Sequence, residues 1–172
     1  MAMAYFITFT TYGTWLHGSG KGMGSVDRQH NEYGAQFVEP DAVREFGARE
    51  AMSQPVYTMD APRREVVRNA IVGLAQEQGW RLLAVHMRSN HVHVVIDADR
   101  DPSRLMSDLK ARASRDLTRA GFEESDRRRW TRHGSTKHLF TTPEVERKIE
   151  YTLDEQGTPM AVYDPRNEPR TE

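Results

Sequence analysis

The stretch Trp80-Arg-Leu-Leu-Ala-Val-His-Met-Arg-Ser-Asn-His-Val-His-Val-Val-Ile-Asp97 decides the fold of this chain. Two runs rich in apolar and β-branched residues, Trp80 to Met87 and His91 to Asp97, are separated by the three polar residues 88–90. Runs of this composition are typical of strands, and a short polar connection between them makes a tight turn. The sequence therefore predicts two neighbouring strands joined by that turn.

Helices are predicted on both sides of this strand pair. Upstream, apolar residues at helical spacing indicate a helix that starts near Asp60, has Pro62 in its first turn and stops at Gly79. Downstream, Asp101 as N-cap and Pro102 at the first position begin a second helix with its own apolar stripe. The strand pair is therefore preceded by one helical crossover and followed by a second helix.

The outer segments complete an α+β pattern. Tyr5 to Tyr12 is aromatic and β-branched and predicts a first strand, and Lys137 to Phe140 predicts a short one. A last helix is predicted from Pro143 to about Gln156, closed by Gly157. The order β-α-β-β-α-β-α predicts a ferredoxin-like sandwich, in which an antiparallel-rich sheet has helices packed on one face.

Residues 1–157 are expected to form one domain, followed by an irregular Pro-rich tail at 158–172. The domain has an elaborated connection at about 17–59, which includes a glycine-dense run and a short helix predicted between Pro40 and Met52. The sequence predicts no function for this connection.

The composition indicates a soluble globular protein: of 172 residues, 37% are hydrophobic and 28% charged. No apolar run reaches the roughly 18 residues that would span a bilayer, so no membrane association is expected. The absence of cysteine excludes disulfides and thiolate metal sites, and together with an N-terminus that lacks an export pattern it predicts a cytoplasmic protein. The net charge of −1 is the sum over a basic segment at 104–132, an acidic one at 144–172 and the remaining residues. Such segments are expected in an enzyme that binds a polyanion, but they are equally typical of two ordinary solvated faces.

The motif His91-Val92-His93 is a candidate metal site. Alternate side chains of a strand point to the same face, so the two imidazoles lie together while Val92 points into a core. Two neutral imidazoles can hold one divalent metal, although two half-exposed strand histidines without a ligand would show the same pattern. Val95 and Ile96 stand where histidine-triad nucleotide hydrolases and metallo-β-lactamase-like hydrolases need further polar ligands, which excludes both classes.

The segment Met87-Arg-Ser-Asn-His-Val-His-Val-Val95 resembles the M-P-N-H-V-H-L-L segment of the single-tyrosine HUH transposases, in particular the REP-associated tyrosine transposase-like group. That family carries its nucleophilic tyrosine on a helix further along the chain. Tyr151 lies 58 residues beyond His93, inside the predicted last helix. The chain departs from the family at Arg88-Ser89, where a proline is common, and in its long insertion after the first strand.

The resemblance implies an HUH-type DNA transesterase that cleaves and rejoins single-stranded DNA through a 5′-phosphotyrosine on Tyr151. The cofactor it implies is Mg²⁺ or Mn²⁺ held by His91, His93 and a third ligand. Glu155 stands four residues after Tyr151, where relatives carry Gln or Asn, and Gln156 is the alternate ligand. The partner implied is single-stranded DNA that forms hairpins, bound by a monomer or a homodimer, with the tyrosine acting in cis or in trans.

Two other functions stay open at this point: a catalytically inactive hairpin-binding protein of the same fold, and a metal-dependent phosphoesterase that uses water. All three would contact phosphates through basic residues, alongside aromatic side chains that stack on bases. The candidate DNA-binding residues fall on one face of the second helix and in the basic linker that follows it: Arg112, Arg115, Arg119, Arg127, Arg128, Arg129, Trp130 and Arg132.

Overall fold

A computed structural model describes residues 1–14, 46–47 and 49–168 of the chain. The predicted glycine-dense run and the predicted helix as far as residue 45 lie outside these ranges, and residues 46–47 and 49–50 are helical. The strands and helices are β1 (Ala4–Thr10), α1 (Ala61–Gln78), β2 (Arg81–Met87), β3 (His91–Asp97), α2 (Pro102–Arg119), β4 (Ser135–Leu139), α3 (Thr142–Asp154) and β5 (Ala161–Tyr163).

The five strands form one antiparallel sheet in the order β4-β1-β3-β2-β5. Strands β1 and β2 are joined by helix α1 and lie on either side of β3, which is the split β-α-β arrangement of ferredoxin-like folds. The predicted α+β fold class is confirmed, and the turn at residues 88–90 joins β2 to β3 as expected.

Helices α1 and α2 begin and end where their capping residues predict. The Asp60 carboxylate accepts a hydrogen bond from the backbone N–H of Arg63, and Gly79 closes α1 with a left-handed φ of 68°. The Asp101 carboxylate likewise accepts from the N–H groups of Ser103 and Arg104 at the start of α2. Local capping chemistry therefore fixes both helices.

The sheet has a hydrophobic core on each face. Helices α1 and α2 pack on one face, over side chains that include Ile7, Val92 and Val94. Helix α3 packs on the other face, over a smaller cluster that includes Phe6 and Val95. The prediction that helices pack on one face therefore holds for α1 and α2, and α3 covers the opposite face.

The C-terminal segment differs from its prediction. Residues 158–172 were expected to be irregular, but Ala161–Tyr163 form β5, which pairs with β2. The outer edge of β2 would otherwise present unpaired backbone groups, and a short β-forming run satisfies them. Among the described residues, no helix combines the length and the apolar character that a bilayer crossing requires.

Candidate functional site

The two histidines of the motif lie side by side on the sheet face that α3 covers, called here the histidine face. In the register of the sheet His91 stands opposite Thr10, and His93 opposite Thr8. The imidazole rings have centroids 4.8 Å apart, and His93 is only 6% exposed. Val92 points into the opposite core, so strand alternation places the pair as the sequence predicts.

A polar neighbour holds one nitrogen of each imidazole. His91 Nδ1 lies 2.6 Å from Asn90 Oδ1, and His93 Nδ1 lies 2.9 Å from Thr8 Oγ1. An amide oxygen only accepts, so Asn90 fixes the tautomer of His91 that carries its proton on Nδ1. The Thr8 hydroxyl donates to His93 Nδ1 when His93 Nε2–H bonds the Gln156 Oε1, and it can accept from Nδ1 when Nε2 binds a ligand. Both contacts leave Nε2 as the nitrogen that can bind a ligand.

Both imidazoles are neutral at neutral pH. Burial, followed by the charge of the nearby Arg88 guanidinium, lowers the pKa of His91 to about 4. Burial also lowers the pKa of His93 to about 3, with His91 as the next cause. Neutral imidazole is the form that binds metal ions, so the pair needs to release no proton to bind one near pH 7.

Tyr151 lies on α3 and faces the histidine pair. Its ring centroid is 5.8 Å from that of His93 and 5.8 Å from that of Phe6. Helix α3 starts at a capping box, in which Thr141 and Glu144 bond each other's backbone N–H. This cap and the buried Leu153 fix the rotation of the helix, and the partly buried tyrosine therefore stands beside the histidines.

The end of α3 decides which side chain reaches the histidines. The helix ends at Asp154, two residues before the end at about Gln156 that the sequence predicts, and Glu155 is its C-cap, with φ −102° and ψ 11°. Gln156 Oε1 lies 3.0 Å from His93 Nε2, and the Gln156 amide N–H donates to the Tyr151 carbonyl at 3.1 Å. Glu155 instead forms an ion pair with Arg147. The structure thus brings Gln156, and not Glu155, to the histidine pair.

Two residues that sequence reasoning missed hold this end of the chain in place. His86 is fully buried; its Nδ1 lies 3.0 Å from the Thr152 carbonyl, and its Nε2 accepts from the Met160 N–H at 3.1 Å. Arg88 donates to the Thr158 carbonyl at 2.9 Å. A lone histidine in an apolar strand was the only sequence signal for His86. Arg88, the departure from the family motif, stabilises the bend that presents Gln156.

The donor set suits a divalent metal. Two imidazole nitrogens and one amide oxygen converge, and borderline metals accept both atom types. In residues 1–14, 46–47 and 49–168 no group of three or more His, Cys, Asp or Glu residues could hold a metal ion. The oxygen beside the two imidazoles belongs to the neutral amide of Gln156.

The predicted DNA-binding arginines of α2 lie on the opposite side of the sheet from the histidines, because α2 packs on the other face. Arg112 forms ion pairs with Glu77 and Asp116, at 2.7 and 2.9 Å. Arg115 and Arg119 are exposed. The structure therefore does not bring these three arginines to the histidine face.

The basic linker divides into structural and exposed residues. Arg129 is 2% exposed and donates to the Phe122 carbonyl, and Trp130 packs edge-on against the ring of Phe9. Their neighbour Arg127 donates to the carbonyls of residues 55 and 56. Arg128 and Arg132 are exposed.

Arg132 lies close to the site through its neighbour in the chain. The Thr131 N–H donates to the Thr10 carbonyl at 3.0 Å, and Thr10 stands opposite His91 in the sheet. Arg128 has its guanidinium 6.0 Å from the ring centroid of Tyr12, at the same end of β1. Of the eight predicted DNA-binding residues, these two are exposed at the end of the sheet where the histidines lie.

The antiparallel α+β domain thus places a pair of strand histidines beside a helical tyrosine. The profile of the family described as "Transposase IS200 like" matches residues 54–149, more than half of the chain. The chain belongs to this transposase family. The match includes the histidine pair and ends two residues before Tyr151.

Two solved structures are similar to this chain. One is a REP-associated tyrosine transposase bound to a REP hairpin, with 10% identity, a TM-score of 0.49, and coverage of 90% of this chain and 67% of that one. The other is a candidate transposase from Deinococcus radiodurans R1, with 12% identity, a TM-score of 0.42, and coverage of 91% and 92%. A search of curated proteins gives no match.

Proposed function

We propose that this transposase-family protein cleaves and rejoins single-stranded DNA through a 5′-phosphotyrosine on Tyr151, with a divalent metal held by His91, His93 and Gln156. One observation carries the proposal: the Gln156 amide contacts both His93 Nε2 and the Tyr151 backbone carbonyl. This side chain links the metal-binding nitrogens to the helix that carries the nucleophile.

In this proposal each residue of the site has a separate role. When Mg²⁺ or Mn²⁺ is bound, it supplies Lewis-acid stabilisation of the charge that develops on the phosphate oxygens. His91 and His93 stay neutral because they are buried, and Asn90 and Thr8 orient them. The packing of α3 holds the phenol of Tyr151 beside them, which lowers the entropic cost of attack.

The transfer conserves the bond energy of the DNA. Tyr151 Oη forms a bond to phosphorus, and the P–O3′ bond breaks with its electron pair passing to O3′. The phenol proton ends on O3′, so the products are a 5′-phosphotyrosine and a free 3′-hydroxyl. Attack by a 3′-hydroxyl reverses the step and joins strands without ATP. A hairpin-forming strand is proposed as substrate because the segment at residues 87–95 resembles that of the single-tyrosine transposases.

A covalent adduct is the direct test of this function. The protein is incubated with Mn²⁺ and a single-stranded hairpin DNA labelled at either its 3′ or its 5′ end, and the products are resolved under denaturing conditions. We expect the 3′ label to stay with the protein and the 5′ label to be released on a strand with a 3′-hydroxyl. EDTA should abolish both products. Binding without cleavage would support an inactive hairpin-binding protein.

Thr8 is expected to support metal binding through His93. Thr8→Val keeps the shape of the side chain but removes the acceptor for His93 Nδ1, and loss of such an outer contact typically lowers metal affinity about 10- to 100-fold. Isothermal titration with Mn²⁺ measures the effect. Thr10→Val is the matched control, because the Thr10 hydroxyl bonds Thr131 Oγ1 at 3.0 Å and not a histidine. Equal losses in the two variants would contradict the role of Thr8.

Arg132 is expected to contact DNA, and Arg115 is not. Both are exposed, but Arg132 adjoins the histidine face and Arg115 lies on α2 behind the sheet. Arg132→Ala should weaken hairpin binding and lower the salt dependence of log K by about 0.7 if one single-strand phosphate contact is lost. Arg115→Ala should leave both unchanged. Fluorescence anisotropy at several salt concentrations measures the affinity and its salt dependence. A loss of affinity in Arg115→Ala but not in Arg132→Ala would place the DNA on the α2 face.

A further inference from the structure

Lys148 brings a positive charge to the nucleophile. It lies on α3 three residues before Tyr151, and residues three apart on a helix share a face. Its Nζ is 4.6 Å from the ring centroid of Tyr151 and 4.7 Å from that of Phe6. Within the described part of the chain, no carboxylate lies within ion-pair distance of Lys148. The nearby Glu155 is held by Arg147.

A second cation lies beside it on the same face. Lys137 on β4 stands opposite Phe6 in the sheet, so its side chain leaves the strand toward α3. The pKa of Lys148 is lowered first by burial and then by the charge of Lys137. Lys137 also lacks an ion pair among the described residues. Lys148 and Lys137 thus lie on one face without an ion pair in the described part of the chain. The charge of Glu144 acts on Lys137 and that of Glu155 on Lys148, but Glu144 bonds the N–H groups of residues 140 and 141 and Glu155 bonds Arg147.

This arrangement costs free energy in the protein alone. Partial burial and a like charge both disfavour the Lys148 ammonium, while the contact of a cation with an aromatic ring offsets only part of that cost at a partly exposed site. A phosphate beside Tyr151 would supply the missing negative charge. The pair of lysines is therefore complementary to the phosphates of a bound nucleic acid strand, because the nearby carboxylates of Glu144 and Glu155 are bonded to other groups.

We propose that Lys148 is a further catalytic residue, whose ammonium contacts a non-bridging oxygen of the phosphate that Tyr151 attacks, and that Lys137 binds an adjacent phosphate of the same strand. The proposal rests on the proposed function. In the transfer written above, the bonds formed and broken are unchanged. Lys148 keeps its proton and offsets the charge that builds up on the phosphate oxygen.

A substrate without charge at the scissile position tests this assignment. Single-turnover adduct formation is measured for wild type, Lys148→Met and Lys148→Arg, on the hairpin phosphodiester and on the same hairpin with a methylphosphonate at the cleavage site. We expect Lys148→Met to slow the diester reaction about 100-fold, the effect of losing one preorganised charge-stabilising group. On the methylphosphonate isomer whose methyl group replaces the oxygen that Lys148 contacts, its defect should be less than about 5-fold, because no charge then develops at that position. Lys148→Arg should recover most of the diester rate.

The outcomes separate the two proposals. If wild type forms no adduct with the diester, the proposed function fails and the role of Lys148 fails with it. If wild type reacts and Lys148→Met is equally slow on both substrates, the lysine only packs against Tyr151, and this inference alone is overturned. Lys137→Met should lower the slope of log K against log salt concentration for hairpin binding by about 0.7, and an unchanged slope would contradict its phosphate contact. Thermal melting confirms that each variant is folded.

Discussion

Tyr151→Phe is expected to abolish the covalent protein–DNA adduct, lowering the rate of its formation about 10⁴-fold or more, as for other removed nucleophiles. Phenylalanine keeps the ring that contacts His93 and Phe6 but lacks the oxygen that bonds to phosphorus. The fold and the affinity for hairpin DNA should therefore change little. Denaturing gels with 3′-labelled hairpin measure the adduct, and anisotropy measures binding.

Tyr163→Phe is the matched control. Tyr163 stands opposite Val85 in the sheet, and both belong to the core on the face away from the histidines. The adduct yield of Tyr163→Phe should therefore equal that of wild type. Cleavage that continues in Tyr151→Phe without an adduct would point to a phosphoesterase that uses water and would refute the role of Tyr151.

The Tyr151→Phe variant also shows whether the tyrosine attacks DNA that is bound by its own chain or by a second copy. Helix α3 packs on the sheet of its own chain, only two residues separate it from β4, and the buried His86 holds its last turn. We therefore expect the tyrosine to act in cis. A mixture of Tyr151→Phe with His93→Ala should form no more adduct than either variant alone. Recovery of adduct in the mixture would show that chains exchange α3 and that the tyrosine acts in trans.

The sequence predicted those parts of the fold that depend on local signals. The β2–β3 pair follows from two apolar runs around a polar turn, and α1 and α2 follow from Asp60 and Asp101 as caps. The placement of His91 and His93 on one face needs only the two-residue period of a strand. Each of these inferences uses residues within one element and its ends.

The remainder of the site depends on contacts between distant parts of the chain. Thr8 is 85 positions from His93, and His86 is 66 positions from the Thr152 carbonyl. No periodicity connects such pairs. The basic linker shows the same limit: Arg129 looks like a DNA contact in sequence, but its guanidinium is buried against backbone carbonyls of residues 122–124. Composition indicates charge, and only packing shows whether that charge is free.

The end of α3 determines which side chain, Glu155 or Gln156, lies beside the histidine pair. A helix continued to residue 156 would set Glu155 beside Tyr151, as the spacing rule predicts. Because α3 ends at Asp154 and the chain bends before Gly157, with its φ of 76°, the side chain of residue 156 turns toward His93 instead. The amide beside His93 is therefore that of Gln156, one position after Glu155.

Gln156→Leu is accordingly expected to lower Mn²⁺ affinity at least about 100-fold, more than the loss of an outer-shell contact, and to reduce adduct formation at limiting Mn²⁺ in proportion. Leucine retains the volume of the side chain but supplies no oxygen toward the histidine nitrogens. Glu155→Gln is the matched control and should keep its affinity within about 3-fold, because the Glu155 carboxylate bonds Arg147 and an exposed ion pair contributes little. Isothermal titration with Mn²⁺ measures both.

Gln156→Glu separates the two contacts of this side chain. A carboxylate can bind the metal but cannot donate to the Tyr151 carbonyl, as the amide does at 3.1 Å. We expect Mn²⁺ affinity to be retained or raised, while adduct formation at saturating Mn²⁺ falls about 10-fold because α3 is held less firmly. If Glu155→Gln lowers Mn²⁺ affinity and Gln156→Leu does not, Glu155 is the third ligand, and α3 must then extend past Asp154 when the metal binds.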